Sequence, residues 1–127
     1  MPIDATQPYD EGNIFARILR GEIPNKTVYE DEWALAFHDI NPQAPLHVLV
    51  IPKVAYSGWP DFAARASDAE IAGFVRAVAE TARLLGVEAP GYRVLSNIGA
   101  DGGQEVAHLH VHIFGGRRLG RMLTPAP

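Results

Sequence analysis

Cysteine is absent from the 127-residue chain. No disulfide framework can form, and a structural zinc site would have to be built from histidine and carboxylate ligands. Basic residues are few: 11 Lys and Arg against 15 Asp and Glu give a formal net charge of -4. That balance argues against a grip on nucleic acid, which needs clustered cations to displace the counterions condensed on the backbone. The basic cluster Arg117, Arg118 and Arg121 reads as a solvated tail. Long apolar runs are also missing, which argues against a membrane partner, and the first dozen residues carry Asp4, Asp10 and Glu11 where a secretory leader would be apolar. A cytoplasmic address is the expectation.

What remains is the balance of one globular domain, with 47% hydrophobic and 20% charged residues in a chain long enough for a single core. Residues 13–123 are expected to form it, between a flexible N-terminal tail over 1–12 and a C-terminal tail over 124–127. Asn13 can cap a short helix carrying Ile14, Phe15, Ile18 and Leu19 at helical spacing, ended by Gly21 and Pro24. Thr27 to Tyr29 and Trp33 to Phe37 read as a hairpin, and Leu46 to Ile51 as a third strand stopped by Pro52. Ser67 and Glu70 have capping-box spacing, and Ile71, Phe74, Val75, Val78, Ala82 and Leu85 mark one face of a helix ending near Gly86. Tyr92 to Ser96 and His108 to Phe114 complete the strands. This order predicts an α+β domain, a largely antiparallel five-stranded sheet with its two helices on one face.

The chemistry concentrates in His108-Leu-His110-Val-His112. On a strand, spacing of two puts all three imidazoles on one face and Leu109, Val111 and Ile113 on the other. With the aliphatic set under the helices, the histidines should line the open face, where neutral imidazole serves as base, nucleophile or hydrogen-bond donor. His47, on the third strand, adds a fourth imidazole. A second use of such a set is a catalytic zinc held by two histidines of one strand and one of another. Against it stand the missing cysteines and the scarcity of nearby carboxylates, Asp101 and Glu105, to orient metal-bound rings. The loop Asn97 to Glu105 enters the histidine strand with three glycines, letting backbone N–H groups approach an anion closely.

The run His-Leu-His-Val-His after Gly-Gly-Gln resembles the signature of the histidine triad (HIT) family, His-x-His-x-His with apolar x. The likeness extends to Asn13-Ile-Phe-Ala-Arg-Ile-Leu, Gly21-Glu-Ile-Pro, Phe37-His-Asp-Ile-Asn-Pro-Gln-Ala-Pro, His47-Val-Leu-Val-Ile-Pro-Lys and Gly115-Gly-Arg, and so covers about residues 13–123. Within the family it is similar to the Hint branch, in its bacterial form. The resemblance implies a HIT-like fold whose sheet continues across a homodimer, no cofactor, and hydrolysis of purine nucleoside 5′-phosphoramidates such as lysyl and aminoacyl adenylates.

Carried over residue by residue, the resemblance makes His110 the nucleophile that attacks the α-phosphorus through Nε2, giving a nucleotidyl-histidine that water then hydrolyses. The backbone carbonyl of His108 would hold the proton of His110 on Nδ1. His112 and His47 would bind or polarise phosphate oxygens, assisted by Asn97 and by the backbone of Gly103, Gln104 and Glu105. Asp39 would accept the two ribose hydroxyls. Ile14, Phe15, Ile18, Phe37, Ile40 and Leu49 would form the apolar slot for the base, and His38 is read as surface. Glu105 departs from the pattern, standing where many members carry a serine placed to donate toward the leaving group. Arg117 to Leu123 resembles a C-terminal segment that approaches the partner's site. The other readings are a non-catalytic nucleotide-binding or regulatory module in the same pocket, a dinucleoside polyphosphate hydrolase and a histidine zinc hydrolase.

Overall fold

The strands come from short runs of β-branched, aromatic and aliphatic residues bounded by turns: β1 (Thr27–Glu30), β2 (Ala34–His38), β3 (Leu46–Pro52), β4 (Arg93–Leu95) and β5 (Val111–Gly115). In the computed structural model, which describes residues 3–125, they form one antiparallel sheet in the order β1-β2-β3-β5-β4. The registers Leu49↔His112 and His47↔Phe114 set two strands of candidate residues side by side at its centre.

The central strands are apolar almost throughout, because both of their faces are covered. Ala34, Ala36, Val48, Val50, Leu109, Val111 and Ile113 pack on one side with Phe62 and Phe74. These two phenylalanines come from α2 (Trp59–Arg65) and α3 (Asp68–Leu84). Leu35, Phe37, Leu49 and Ile51 pack on the other side against Phe15 and Ile18 of α1 (Ile14–Leu19). The expected pair of helices on one face is therefore corrected: α3 lies on the aliphatic face, and α1 lies on the histidine face. Phe15 leaves that face no longer open.

The helix ends follow local chemistry. The side chain of Asn13 accepts from the Ala16 N–H and caps α1. Ser67 and Glu70 complete both halves of the capping box at the start of α3. Val75, expected on the buried stripe, faces solvent; Ala77 and Thr81 hold the buried stripe instead, with the Thr81 hydroxyl donating to the Ala77 carbonyl. Helix α2 was not expected, since Gly58 offers no side-chain cap, although Pro60 in its first turn suits a helix start. The glycine loop contains a single turn, α4 (Gly99–Gly102), closed by Gly103 at φ +78.

The N-terminal segment departs most from expectation. Residues 1–12 are expected to form a flexible tail, yet within them Ala5 is buried, the Ala5 carbonyl accepts from the Ser57 hydroxyl, and Tyr9 reaches His108. Met1 and Pro2 of that stretch, and Ala126 and Pro127 of the C-terminal one, lie outside the described residues. Thr124 and Pro125 are exposed. No helix among the described residues is long and apolar enough to cross a membrane.

Candidate active site

His108 and His110 precede β5, and His112 lies within it. The expected alternation holds through all three, with Leu109, Val111 and Ile113 in the aliphatic core and the imidazoles on the side of Phe15. His108 and His110 are buried rather than displayed. The Phe15 ring meets the His110 ring edge-on, with centroids 4.9 Å apart.

Hydrogen bonds fix the proton positions, because carbonyls only accept and peptide N–H groups only donate. The carbonyl of His108 lies 2.7 Å from His110 Nδ1, so Nδ1 holds the proton and the lone pair sits on Nε2. Burial lowers the His110 pKa, which keeps this lone pair free near neutral pH. The Ser96 hydroxyl donates to the His110 carbonyl at 2.9 Å, tying β4 to the same segment.

A second chain of bonds runs in from the loop before β3. The Gln43 backbone N–H donates to His47 Nδ1 at 3.1 Å, which leaves the proton of a neutral His47 on Nε2. That proton points to His112 Nδ1 at 2.9 Å, so the proton of His112 resides on its own Nε2. Burial lowers the pKa of both rings, His112 to about 4, and neutral tautomers follow. The result is a buried His112 Nε2–H with no partner among the described residues. A buried donor left unpaired costs free energy, and a hydrogen bond to an acceptor atom of a ligand would relieve that cost.

Asp39 stands at the mouth, its Oδ2 3.5 Å from His47 Nε2 and its Oδ1 accepting from the Asn41 N–H. Phe15, Ile18, Phe37 and Leu49 are brought together in one buried cluster beside it. Ile14 and Ile40 are exposed, Ile40 almost completely. His38 is exposed as expected.

The glycine loop differs from its expected role. The Gly103 N–H donates to Ala100 and the Gln104 N–H to Gly99, so neither is free for an anion. The Gln104 side chain is buried and spent: its Oε1 accepts from the Gly99 N–H, and its Nε2 donates to the carbonyls of Ser57 and Val106. Gln104 bolts the loop down rather than reaching a ligand. Glu105 is exposed, and its charge acts on His110, while Asn97 is half-buried beside Gly102.

The metal reading changes as well. Both nitrogens of His108 are engaged, Nε2 with the Pro52 carbonyl at 2.9 Å and Nδ1 with Tyr9, and His110 keeps only Nε2. The first two histidines of the strand thus cannot serve as a pair of ligands. Among the described residues, the group able to hold an ion is Asp39, His47 and His112, with ligand atoms within 4.8 Å of one another. An ion there would occupy nitrogens now used in the hydrogen-bonded chain.

Sequence reasoning missed Ser96, Gln43 and Tyr9. Ser96 was legible in principle, since it lies just beyond β4, whose Leu95 pairs with His112. The other two act through a backbone amide and through a segment expected to be loose, and neither leaves a spacing signal.

The pattern of the HIT domain matches residues 20–119. The chain is 67% identical over 116 residues to an uncharacterized 13.2 kDa HIT-like protein of Azospirillum brasilense, covering 91% of this chain and 95% of the relative. It is 42% identical over 114 residues to the purine nucleoside phosphoramidase of Escherichia coli, covering 90% and 95%. Among solved structures, a histidine triad protein from Clostridium difficile superposes with a TM-score of 0.76 at 42% identity, covering 87% of this chain and 95% of that one. A HIT family hydrolase from Clostridium thermocellum gives 0.79 at 36%, covering 90% and 99%. With the ordered histidine row, the domain match and these relatives in agreement, this chain belongs to the HIT family.

Proposed function

We propose that the chain hydrolyses purine nucleoside 5′-phosphoramidates through a nucleotidyl-histidine on His110. The observation that carries this reading is the pairing of a lone pair on His110 Nε2 with an unpartnered N–H on His112 Nε2, on neighbouring rings 5.2 Å apart. A nucleophile beside a donor suits attack at phosphorus, where negative charge on the non-bridging oxygens must be steadied. In the first step the His110 Nε2–P bond forms and the P–N bond breaks. The amine leaves with that electron pair and takes a proton from solvent. In the second, water forms a P–O bond, the Nε2–P bond breaks, and the nucleotide and one proton are released.

Asp39 accepts the ribose hydroxyls, and the Phe15, Ile18, Phe37 and Leu49 cluster, with Ile14 and Ile40, receives the base. The choice of a P–N bond and of purine draws on the Escherichia coli relative whose name states that chemistry. The working form we propose is a homodimer in the cytoplasm. Edge strand β4 supports it: Val94, Trp59 and Ile98 are exposed around an apolar depression of about 270 Å³. A bare apolar edge of this kind needs a cover, and a second copy of the sheet supplies one.

Turnover of a fluorogenic adenosine 5′-phosphoramidate by the wild type and by His110→Ala, both with chelator present, tests the reading. Activity that survives chelation and falls below detection in the variant, with AMP still bound, is the expected result. Activity abolished by chelator would move the chemistry to a metal on Asp39, His47 and His112. An inactive wild type that binds AMP would make the pocket a binding module, and turnover of dinucleoside polyphosphates alone would change the substrate class.

A further inference from the structure

We infer that Tyr9 is a positioning residue for the nucleophile, and that the N-terminal segment is a strap that latches onto the histidine row. The inference rests on the proposed role of His110 and extends the machinery to a stretch before the first helix.

The Tyr9 hydroxyl lies 2.6 Å from His108 Nδ1. His108 is fully buried, and its Nε2 faces the carbonyl of Pro52, which can only accept. The ring therefore carries its proton on Nε2, and Tyr9 is the donor to Nδ1. Burial raises the Tyr9 pKa above the ordinary phenol value, so the hydroxyl keeps its proton near neutral pH. The two contacts grip the His108 ring from opposite sides. The carbonyl of the same residue takes the His110 Nδ1–H and so aims His110 Nε2.

The strap is anchored on both sides of Tyr9. Ala5 is buried and its carbonyl is held by the Ser57 hydroxyl, next to the Ser57 carbonyl that receives Gln104. Asp10 accepts from Asn13 through its backbone carbonyl, and Asn13 caps α1, whose Phe15 packs on His110. A segment serving only to cover apolar surface would not need a phenol placed on a ring nitrogen. Removing the hydroxyl leaves the buried lone pair of His108 Nδ1 without a donor and the ring held only through the Pro52 carbonyl, so the ring, its peptide and the aim of His110 are less firmly set.

The test compares Tyr9→Phe with Tyr56→Phe in the full-length protein. Tyr56 is buried in the aliphatic-face core and its hydroxyl donates to Glu70 at 2.6 Å, so its variant makes the same chemical change on the opposite face of the sheet from the imidazoles and keeps the backbone bond from Leu109 to the Tyr56 carbonyl. Tyr9→Phe is expected to lower kcat roughly tenfold, the scale of one well-placed hydrogen bond, with KM within about twofold. Tyr56→Phe should leave kcat at the wild-type value. Imidazole ¹⁵N shifts, which need no substrate, should show His108 Nδ1 as a hydrogen-bonded acceptor in the wild type and as an unbonded one, shifted downfield, in Tyr9→Phe, with the proton on Nε2 in both. Wild-type kcat in Tyr9→Phe overturns the inference whatever happens to its Tm, and so does an equal loss of kcat in both variants. If the wild type fails to turn over phosphoramidates, the proposed function falls, and the ¹⁵N shifts alone decide on Tyr9: an unmoved His108 Nδ1 resonance overturns the latch.

Discussion

Asp39 illustrates how one side chain is divided between holding its own loop and meeting a ligand. Its Oδ1 takes the Asn41 N–H, fixing the turn after β2, while Oδ2 looks toward His47 with lone pairs still open. Asp39→Ala should weaken AMP binding about tenfold or more, the loss of a charge-assisted hydrogen bond, and weaken an analogue lacking both ribose hydroxyls much less. Titration calorimetry with the two ligands checks this, and an equal loss for both would remove the ribose assignment. At this scale the sequence was informative where a residue's type already implied its chemistry. Three imidazoles at spacing two, a fourth on the adjacent strand and a carboxylate nearby were all legible. Gln104 was not: a glutamine beside three glycines has the same appearance whether it meets a phosphate or ties the loop to the Ser57 and Val106 carbonyls, and only the fold brings those carbonyls to it.

Elements were legible in proportion to how much of their stability is local. The capping box and apolar stripe placed α3 nearly to its ends, and the β-branched and aromatic runs placed all five strands. Helix α2 escaped because it has no side-chain cap and is held by burying Phe62 among residues distant in sequence. The side on which α1 lies was equally hidden, since its stripe fits either face of the sheet until Leu35, Phe37, Leu49 and Ile51 are seen to share one surface. The seat of α3 depends on Gly73, where an added Cβ would stand 2.4 Å from the Trp33 ring. The ring is rigid and half-buried against the core. Although alanine is the better helix former, Gly73→Ala is expected to destabilise the fold by about 1–3 kcal/mol, the usual cost of overpacking. Urea unfolding measures it, and since the obstructing atoms are Cγ, Cδ1 and Cδ2 of Trp33, the cost of Gly73→Ala should shrink in a Trp33→Ala background, where all three are gone.

Across the whole molecule, the buried histidines couple folding to pH. His108 and His112 sit at about 4 against an ordinary 6.5, chiefly because burial penalises their charged forms, and burial lowers His47 and His110 as well. Between these limits the unfolded chain binds protons that the folded chain refuses, so stability is full above about 6.5 and falls as the pH drops toward 4. The first half of this window lies above the range where the hydrogen-bonded carboxylates Asp61 and Glu70, both lowered, begin to titrate. Thermal unfolding should therefore show Tm already falling between pH 6.5 and 5.5, and a flat Tm there would contradict neutral, buried imidazoles. The chain of bonds from Gln43 through His47 to His112 has one more property. It begins at a peptide N–H, which cannot accept, so every proton along it points the same way. The dipoles add, and the site presents a positive pole to an incoming anion without holding any formal cation. A bare ammonium or guanidinium in its place would attract mobile counterions that a ligand must displace, whereas an aligned row of neutral rings offers salt nothing to screen before the ligand arrives.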